Sequence, residues 1–388
     1  MIKNFAIKAY LILFKCVFSF FNLFKLKRKT VFVSSFSDNT LFVINALKKD
    51  FPNEEVVLLN DIKCKVDTSN FNVDFKYDFN NYKRPLDFIK SIYHLATSRV
   101  IFIDNYFGFL AAFPSKKRQK VIQLWHAAGA IKKFALADKT VDTRSFSAQK
   151  RFTRVYGQFD YTVVGSEYMA DIFLEAFNIT DSRILRTGIP RTDFFFDESA
   201  VSQARSNLLI KFPFIQERKV ILYAPTFRDG QFDSWDSQLD FKLLEATLSE
   251  EYILFVKFHP SMNIAFENES LNFIYDISDM SNINHLLTIV DVLITDYSSL
   301  PFEFALLNRP IIFYVPDLTE YKKERGIWEV FSNNFPGPLC FNTSELIHSI
   351  KDNKPDLTLI NQFSKSWNVY SDGSASHKII SSIYKHDN

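Results

Sequence analysis

Two histidines stand at the ends of apolar runs that are typical of buried strands. His126 follows Val121–Trp125, and His259 follows a run that ends at Lys257. Because an imidazole titrates near neutral pH, a positioned histidine can take the proton of a reacting hydroxyl or donate to a phosphoryl oxygen. We therefore predict that His126 is an acid–base group oriented by Asp104, and that His259 contacts a phosphate. The alternative for both histidines is a purely structural role.

Hydroxyl and charged side chains follow the strands of the second half of the chain. Thr226 and Arg228 supply a hydroxyl and a forked cation, which suit phosphate oxygens. Ser298 and Ser299 precede a proline and a helical pattern, so we expect an anion site at the positive end of that helix. The alternative for the two serines is an ordinary helix N-cap. Asp296 could hold a basic neighbour or a ribose-type hydroxyl, and both options stay open.

Several motifs of nucleotide and metal chemistry are absent from the sequence. It contains no G-x-G-x-x-G, no G-x-x-x-x-G-K-[ST] and no H-E-x-x-H, and no two aspartates are separated by a single residue. We therefore predict no metal and no cofactor. The charge on a leaving diphosphate would then be offset by Arg, Lys, His and helix ends rather than by Mg²⁺.

The strands that must position these side chains form two series of short apolar runs. Continuous rather than alternating apolar patterns are typical of parallel strands buried on both faces. Open parallel sheets bind their ligands at the carboxyl ends of the strands, where the polar residues described above lie. The predicted strands are Val31–Ser35, Val56–Leu59, Val100–Asp104, Val121–Trp125, Tyr161–Gly165, Ile184–Thr187, Val220–Ala224, Ile253–Lys257, Phe273–Asp276, Val292–Thr295 and Ile311–Tyr314.

The two series predict an α/β protein with two Rossmann-like domains that face a cleft. A polar stretch without strand signal separates them. The predicted segments are an amphipathic membrane-associating segment (1–29), an N-terminal acceptor domain (30–196), a linker (197–217), a C-terminal ligand-binding domain (218–360) and a helical tail that returns to the first domain (361–388).

The N-terminal segment contains the longest apolar run, Phe5–Phe24, followed by four basic residues between 25 and 29. On a helical wheel its polar residues, among them Lys8 and Lys15, fall within a stripe roughly 60° wide. A lysine near the middle of a spanning helix costs about 2.5–3.5 kcal/mol, whereas in an interfacial helix it faces the headgroups. We therefore predict a helix on an anionic membrane surface. A core helix and a true membrane span are the alternatives.

Composition and charge narrow the class of protein. At roughly 150 residues per domain, a chain of 388 residues should form two or three domains. The 46 Lys and Arg residues against 44 Asp and Glu residues give a net charge of +2, so no global field recruits nucleic acid. Three widely spaced cysteines exclude a disulfide scaffold and fit a reducing compartment. The composition therefore indicates a folded cytoplasmic protein without a nucleic-acid partner.

Six ordered segments carry a resemblance to a known family. They are QLWHAAGAIKKFA (123–135), VVGSEYMADIF (163–173), RTGIPRTDFF (186–195), YAPTFRD (223–229), VKFHP (256–260) and TDYSSLPFEFALLNRPIIFY (295–314). This set resembles the CDP-glycerol glycerophosphotransferases, which build teichoic acids and related glycerol- or ribitol-phosphate polymers. The similarity extends from Val31 to Trp328, which is most of the chain.

The resemblance implies a fold of the glycosyltransferase-B type, in which the C-terminal half binds a CDP-alditol donor and the acceptor approaches from the N-terminal half. It implies that His126 is the base and that His259 contacts the donor phosphate. The family's donor-binding segments match Pro225–Arg228 and Thr295–Ser299, which adds Thr295 to the expected site. Its D-N aspartate matches Asp104.

The residues after Trp125 help to distinguish the polymerases of the family from its primases. Many polymerases of the family have H-G-T-P there, whereas this chain reads His126-Ala127-Ala128-Gly129, a form that resembles the primases. Primases add the first glycerol phosphate to a lipid-linked disaccharide. Gly129, Lys132 and Lys133 are predicted to bind the acceptor; the alternatives for the lysines are contact with the membrane and a solvated helix face.

We thus predict an enzyme that transfers glycerol phosphate from CDP-glycerol to a hydroxyl of a lipid-linked saccharide or polymer and releases CMP. It would be a peripheral protein at the cytoplasmic face of the cell membrane, on an anionic surface. Three alternatives remain at this point: a glycerol- or ribitol-phosphate polymerase, a glycosyltransferase that uses a sugar nucleotide, and a non-catalytic membrane scaffold.

Overall fold

The computed structural model describes residues 2–62, 64, 67–226, 239–258, 272–351 and 357–385. It divides the chain into two compact units. The first comprises Met1–Ala127, Phe134–Asp193 and Tyr370–Asn388, and the second comprises Ala128–Lys133 and Phe194–Val369. Each unit contains one sheet in which all paired strands are parallel, so the expected α/β fold is confirmed.

The first unit is built on a seven-stranded sheet in the order β3-β2-β1-β4-β5-β6-β7. The middle of each inner strand is buried because its side chains are apolar on both faces, as in Val31–Val33 of β1 and Val56–Leu59 of β2. The elements of this unit are α1 (Ile2–Phe21), β1 (Lys27–Ser34), α2 (Asp38–Asp50), β2 (Glu55–Asp61), β3 (Phe75–Phe79), α3 (Pro85–Thr97), β4 (Ser98–Ile103), β5 (Lys120–Gln123), α4 (Phe146–Tyr156), β6 (Tyr161–Val164), α5 (Glu167–Phe177), β7 (Ile184–Arg186) and α14 (Ala375–Tyr384).

The second unit is built on a six-stranded sheet in the order β10-β9-β8-β11-β12-β13. The stretch 197–217, predicted as a linker, contains a regular helix, α6, whose N-terminus is capped by the Asp197 carboxylate. The elements are α6 (Glu198–Lys211), β8 (Lys219–Ala224), α7 (Phe241–Leu248), β9 (Tyr252–Val256), β10 (Ile274–Asp276), α8 (Ile283–Leu287), β11 (Val292–Thr295), α9 (Leu300–Phe304), β12 (Ile311–Tyr314), α10 (Leu318–Glu324), α11 (Glu329–Ser332), β13 (Leu339–Cys340), α12 (Thr343–Lys351) and α13 (Leu357–Trp367).

Helix α1 packs one of its faces into the first unit. Phe14 and Phe18 are completely buried, and their rings lie 5.1 Å and 4.7 Å from those of Phe109 and Phe113. A core helix is one of the alternatives for the N-terminal segment, and this face of α1 packs as a core helix does. Within the part of the chain that the structure describes, no helix has the length and apolar character needed to cross a membrane.

The remaining surface of α1 is exposed and divides into two stripes. Lys8, Lys15 and Ser19 form the polar stripe that the helical wheel predicts. A second stripe, which we call the apolar outer face, consists of Phe5, Ile12, Leu13 and Phe20, which are 54–75% exposed. Large apolar side chains gathered on one exposed stripe are typical of a surface that binds a partner or a membrane.

Helix α14 returns to the first unit. The carboxylate of Asp193 accepts the backbone N–H groups of Ala375 and Ser376 at 2.9 Å each, which satisfies two donors at the start of the helix. The approach depends on Gly188, which has φ +87° and where a Cβ would lie only 2.6 Å from the carbonyl oxygen of Tyr370. A side chain at 188 would therefore force the backbone at Tyr370 to shift.

Candidate active site

His126 lies just beyond β5, at the carboxyl edge of the first sheet. Its Nδ1 atom lies 3.1 Å from the backbone carbonyl oxygen of Asp104. A carbonyl oxygen can only accept, so this contact places the proton on Nδ1 and leaves Nε2 as an acceptor. That is the tautomer required of a group that removes a proton from a hydroxyl.

Two aromatic rings enclose the imidazole. The Phe36 ring stacks on it at a centroid distance of 4.3 Å with an interplanar angle of 15°, and the Trp125 ring lies at 4.3 Å with an angle of 32°. Burial lowers the pKa of His126 to about 4, while the hydrogen bond to the Asp104 carbonyl acts in the opposite direction. The imidazole is therefore neutral at physiological pH and able to accept a proton.

The backbone before His126 is held in an unusual conformation. Trp125 has φ +61°, in the left-handed region that a bulky residue rarely adopts. The amide side chains of two neighbours fix it: Gln123 accepts the Trp125 N–H at 2.9 Å, and Asn39 donates to the Trp125 carbonyl at 2.9 Å. Such a conformation costs about 1–3 kcal/mol and persists where surrounding contacts impose it, often at functional sites.

Arg191 is a site residue that the sequence analysis did not single out. Its side chain is buried, and its Nη1 donates to the His126 carbonyl at 3.3 Å and to the Asp38 carboxylate at 3.2 Å. Its positive charge also favours the neutral imidazole. The available signal was the run Gly188-Ile189-Pro190-Arg191, which places an arginine in the short loop that follows β7 at the same edge of the sheet as His126.

The carboxylate of Asp104 performs a different task from its carbonyl. It accepts the hydroxyl of Ser34 and the backbone N–H groups of Ser35, Phe36 and Ser37. Burial raises its pKa, and these hydrogen bonds counteract the rise. Asp104 thus contacts His126 through its backbone, whereas its side chain shapes the loop that carries Phe36 over the imidazole.

A second cluster forms at the carboxyl edge of the sheet in the second unit. The Asp296 carboxylate accepts the Thr226 backbone N–H at 2.9 Å and the Thr226 hydroxyl at 2.5 Å. The hydroxyls of Thr295 and Ser298 are 2.7 Å apart. The structure therefore brings together four of the predicted donor-site residues, and Asp296 holds the loop after β8.

Ser298 and Ser299 are partly exposed at this edge. Ser299 occupies the N-cap position of α9, but its side chain forms no capping hydrogen bond. The helix is only five residues long, so its dipole is weaker than the sequence analysis expected, and the serine hydroxyls are the more substantial donors. Arg228 and His259, also predicted for this site, lie outside the described residues.

The predicted acceptor residues Gly129, Lys132 and Lys133 belong to the second unit, within the segment Ala128–Lys133. A Cβ on Gly129 would lie 2.6 Å from the ring of Phe302, so packing requires glycine there. Lys132 pairs with Ile327 in an antiparallel bridge, and the Lys133 ammonium lies 5.2 Å from the Trp328 ring. These contacts attach the segment to the second unit, and acceptor binding stays a prediction.

Lys132 is also connected to the second cluster through stacked rings. Its ammonium lies 5.6 Å from the centre of the Tyr321 ring, and Tyr321 stacks on Tyr297 at 3.8 Å with an angle of 12°. Tyr297 directly follows Asp296, which holds Thr226. The segment Ala128–Lys133 is therefore joined to the T-D-Y-S-S segment by contacts within the second unit.

Comparison with known proteins agrees with the resemblance seen in the sequence. The family described as CDP-Glycerol:Poly(glycerophosphate) glycerophosphotransferase matches residues 16–385. A teichoic acid glycerol-phosphate primase of Bacillus spizizenii is 37% identical over 94% of this chain and 94% of its own length. The corresponding primase of Bacillus subtilis is 38% identical over 87% of this chain and 82% of its own length.

Solved structures of the wall teichoic acid polymerase TagF share the fold. One covers 100% of this chain and 98% of its own, with a TM-score of 0.81 at 22% identity. Another in that set was soaked with CDPG.

Proposed function

Since this chain belongs to the CDP-glycerol:poly(glycerophosphate) glycerophosphotransferase family, we propose that it transfers glycerol phosphate from CDP-glycerol to a hydroxyl of a lipid-linked acceptor and releases CMP. The primase activity is favoured because glycerol-phosphate primases match nearly the whole chain at 37–38% identity. The proposal includes a glycosyltransferase-B arrangement, with the two Rossmann-like units facing a cleft.

The tautomer of His126 carries the mechanistic part of the proposal. With its proton on Nδ1, the neutral imidazole accepts the acceptor hydroxyl's proton at Nε2 while that oxygen attacks the donor's β-phosphorus. A bond forms between the acceptor oxygen and this phosphorus. The bond from the phosphorus to the oxygen of the departing CMP breaks, and CMP leaves with the electron pair.

The second cluster would bind the donor and stabilise the charge that passes to CMP. Hydroxyls and cations aimed at phosphate oxygens lower the barrier because they are already oriented when the charge develops. The residues proposed for this role are Thr226, Arg228, His259, Thr295, Ser298 and Ser299. Asp296 positions Thr226 through its two hydrogen bonds, and therefore belongs to the supporting structure of the site.

CMP release and product mass test this function directly. Purified protein is incubated with CDP-glycerol and a lipid-linked disaccharide analogue, and then with CDP-ribitol in a parallel reaction. A primase gives one product, heavier by a single glycerol phosphate, together with one CMP per acceptor. A ladder of product masses would indicate a polymerase, and turnover with CDP-ribitol would indicate a ribitol-phosphate enzyme. Turnover only with sugar nucleotides would indicate a glycosyltransferase. The absence of CMP release would indicate a non-catalytic scaffold.

We also propose that the protein is peripheral at the cytoplasmic face of the membrane, since a lipid-linked acceptor stays at the bilayer. The apolar outer face of α1 supports this localisation. Deletion of residues 1–29 would be an ambiguous test, because it removes the buried Phe14 and Phe18. Substitution of Phe5 and Ile12 by serine leaves the packed face intact, and should shift the protein from the membrane fraction to the soluble one.

A further inference from the structure

A cavity of about 280 Å³ opens in the first unit, at the sheet edge opposite His126. It lies where strands begin: Arg28 belongs to the start of β1, Glu54 immediately precedes β2, and Arg99 belongs to the start of β4. Tyr384, the last residue of α14, completes the wall. None of these residues takes part in the proposed transfer reaction.

The lining of the cavity is cationic. Glu54 is almost fully buried, and its Oε2 lies 3.4 Å from Nε of Arg28 and 3.9 Å from Nη2 of Arg99. The carboxylate thus draws two guanidinium groups to one place. With Lys27, the lining carries three cations against one carboxylate, which leaves an excess of positive charge for an anion.

Arg28 retains capacity for a ligand. Its side chain is 60% exposed, and its closest contact with Glu54 is made by Nε at 3.4 Å, so much of the guanidinium group stays accessible to a ligand. A guanidinium fork matches two oxygens of a phosphate. Arg28 is therefore available to bind a phosphate while Glu54 holds the Nε side of its guanidinium group.

The cavity continues the apolar surface of the N-terminal segment along the chain. Leu23 and Phe24 follow α1 and are 83% and 50% exposed, and Leu26, two residues later, already lines the cavity. Apolar side chains next to a cationic recess match the two parts of an anionic phospholipid. The acyl region takes the apolar side chains, and the phosphate takes the cations.

We propose that this cavity binds the headgroup phosphate of an anionic phospholipid while Leu23, Phe24 and the apolar outer face of α1 enter the adjoining membrane surface. The proposal rests on the proposed membrane localisation and adds a specific lipid site to it. A volume of about 280 Å³ accommodates a phosphate diester headgroup and leaves the acyl chains in the bilayer.

Vesicle co-sedimentation of the full chain tests the site. One set of vesicles is pure phosphatidylcholine and the other contains about 30% phosphatidylglycerol, both at about 0.15 M salt. Wild type should bind the anionic vesicles at least about tenfold more tightly, and Arg28→Glu should lose about tenfold of that affinity. Lys211→Glu, on the exposed surface of α6, is the matched control with the same change of charge and should bind like wild type.

A conservative variant distinguishes specific phosphate binding by Arg28 from nonspecific electrostatic attraction to the vesicle. Arg28→Lys keeps the charge but loses the fork, so it should still bind several-fold more weakly than wild type. Two results would show that surface charge alone attracts the protein and that the cavity is not a lipid site. One is an Arg28→Lys variant that binds anionic vesicles like wild type. The other is a Lys211→Glu variant that loses as much vesicle affinity as Arg28→Glu. Leu23→Ser, which alters no charge and no buried contact, should also weaken binding; unchanged binding would contradict the apolar half of the proposal.

Two further measurements test the lipid site independently of the proposed transfer reaction. CMP release with a water-soluble acceptor analogue should be the same in wild type and Arg28→Glu, so loss of vesicle binding with full turnover supports the lipid site alone. Thermal unfolding is then followed with inorganic phosphate in place of lipid. Phosphate stabilisation that Arg28→Glu abolishes, without any vesicle binding, would mean that the cavity takes a soluble anion and would overturn the proposal.

Discussion

The ring of Phe36 lies flat against the imidazole of His126, with centroids 4.3 Å apart. The loop that carries Phe36 is held by the carboxylate of Asp104, and the backbone carbonyl of the same residue receives the His126 Nδ1 proton. One aspartate thus fixes the tautomer of the imidazole and, through the loop, the ring that shields it from water.

His126→Ala should reduce turnover by at least about 100-fold, the lower end of what a positioned base contributes. The loss should appear in kcat for CMP release, because the base acts in the transition state. His377→Ala is the control: His377 is an exposed histidine of α14, paired with Asp50 at 2.8 Å, and its loss should leave kcat unchanged. Wild-type kcat in His126→Ala would refute the assignment of the base.

Phe36→Ala should raise the pKa of His126 from about 4 toward the ordinary value, because water would reach the imidazole. The acidic limb of the pH profile of kcat/KM should move to higher pH as a result. Phe146→Ala removes an equally large but exposed ring at the start of α4 and should leave the profile in place. An unshifted limb in Phe36→Ala would mean that this ring does not set the imidazole's pKa.

Asp104→Asn should destabilise the protein by about 1–3 kcal/mol, since an amide cannot replace a carboxylate that accepts three backbone N–H groups. Urea unfolding measures this loss. The carbonyl contact to His126 survives the substitution, so the fall in kcat should be smaller than in His126→Ala. Equal losses of kcat in the two variants would show that the carboxylate has a direct part in the reaction.

Acid should destabilise the fold through its buried histidines. Burial lowers the pKa of His94 to about 3, and the nearby Lys29 ammonium, 3.1 Å from its Nδ1, adds to the effect. The unfolded chain takes up a proton below about pH 6.5 while the folded chain does not, so this stability is complete above pH 6.5 and is lost as pH falls toward 3.

His94→Gln should reduce that acid sensitivity. By linkage, His94 alone should account for up to about 2 kcal/mol of the stability lost between pH 7 and pH 5. Urea midpoints at the two pH values measure the effect, and His377→Ala is again the exposed control. If the wild type and His94→Gln lose stability equally between these pH values, His94 is not the group responsible.

The sequence predicted the strands well where they are central and continuously apolar. All eleven predicted runs are strands in the structure, and two strands of the described residues that the sequence analysis missed, β3 and β13, lie at sheet edges. β3 reads Phe-Lys-Tyr-Asp-Phe, which is partly polar because an edge is exposed, and β13 has only two residues. Edge strands lack the continuous burial that produces a clear pattern.

The sequence predicts which residue types form the site better than it predicts the contacts between them. Strand order brings His126 and Asp104 together, but no pattern distinguishes a contact through the Asp104 carbonyl from one through its carboxylate. The left-handed backbone at Trp125 was equally hidden, since its causes are the amide side chains of Gln123 and Asn39. Asn39 comes from a distant part of the chain, and only the folded structure reveals such a partner.

The N-terminal helix likewise has contacts that its sequence pattern does not reveal. The helical wheel identified the polar stripe, yet it could not divide the broad apolar surface into a packed part with Phe14 and Phe18 and an exposed part with Phe5 and Ile12. That division depends on the shape of the unit beneath the helix, which the periodicity of one segment does not contain.

The docking of α14 on Asp193 has a consequence for how the chain is made. The ribosome synthesises Ala375 and Ser376 after all of the second unit, yet they complete the first unit. During translation the second unit can therefore finish folding while the first still lacks a helix, which reverses the usual order in which domains mature. Nascent chains stalled before residue 370 should expose the surface that α14 covers and be open to chaperones there.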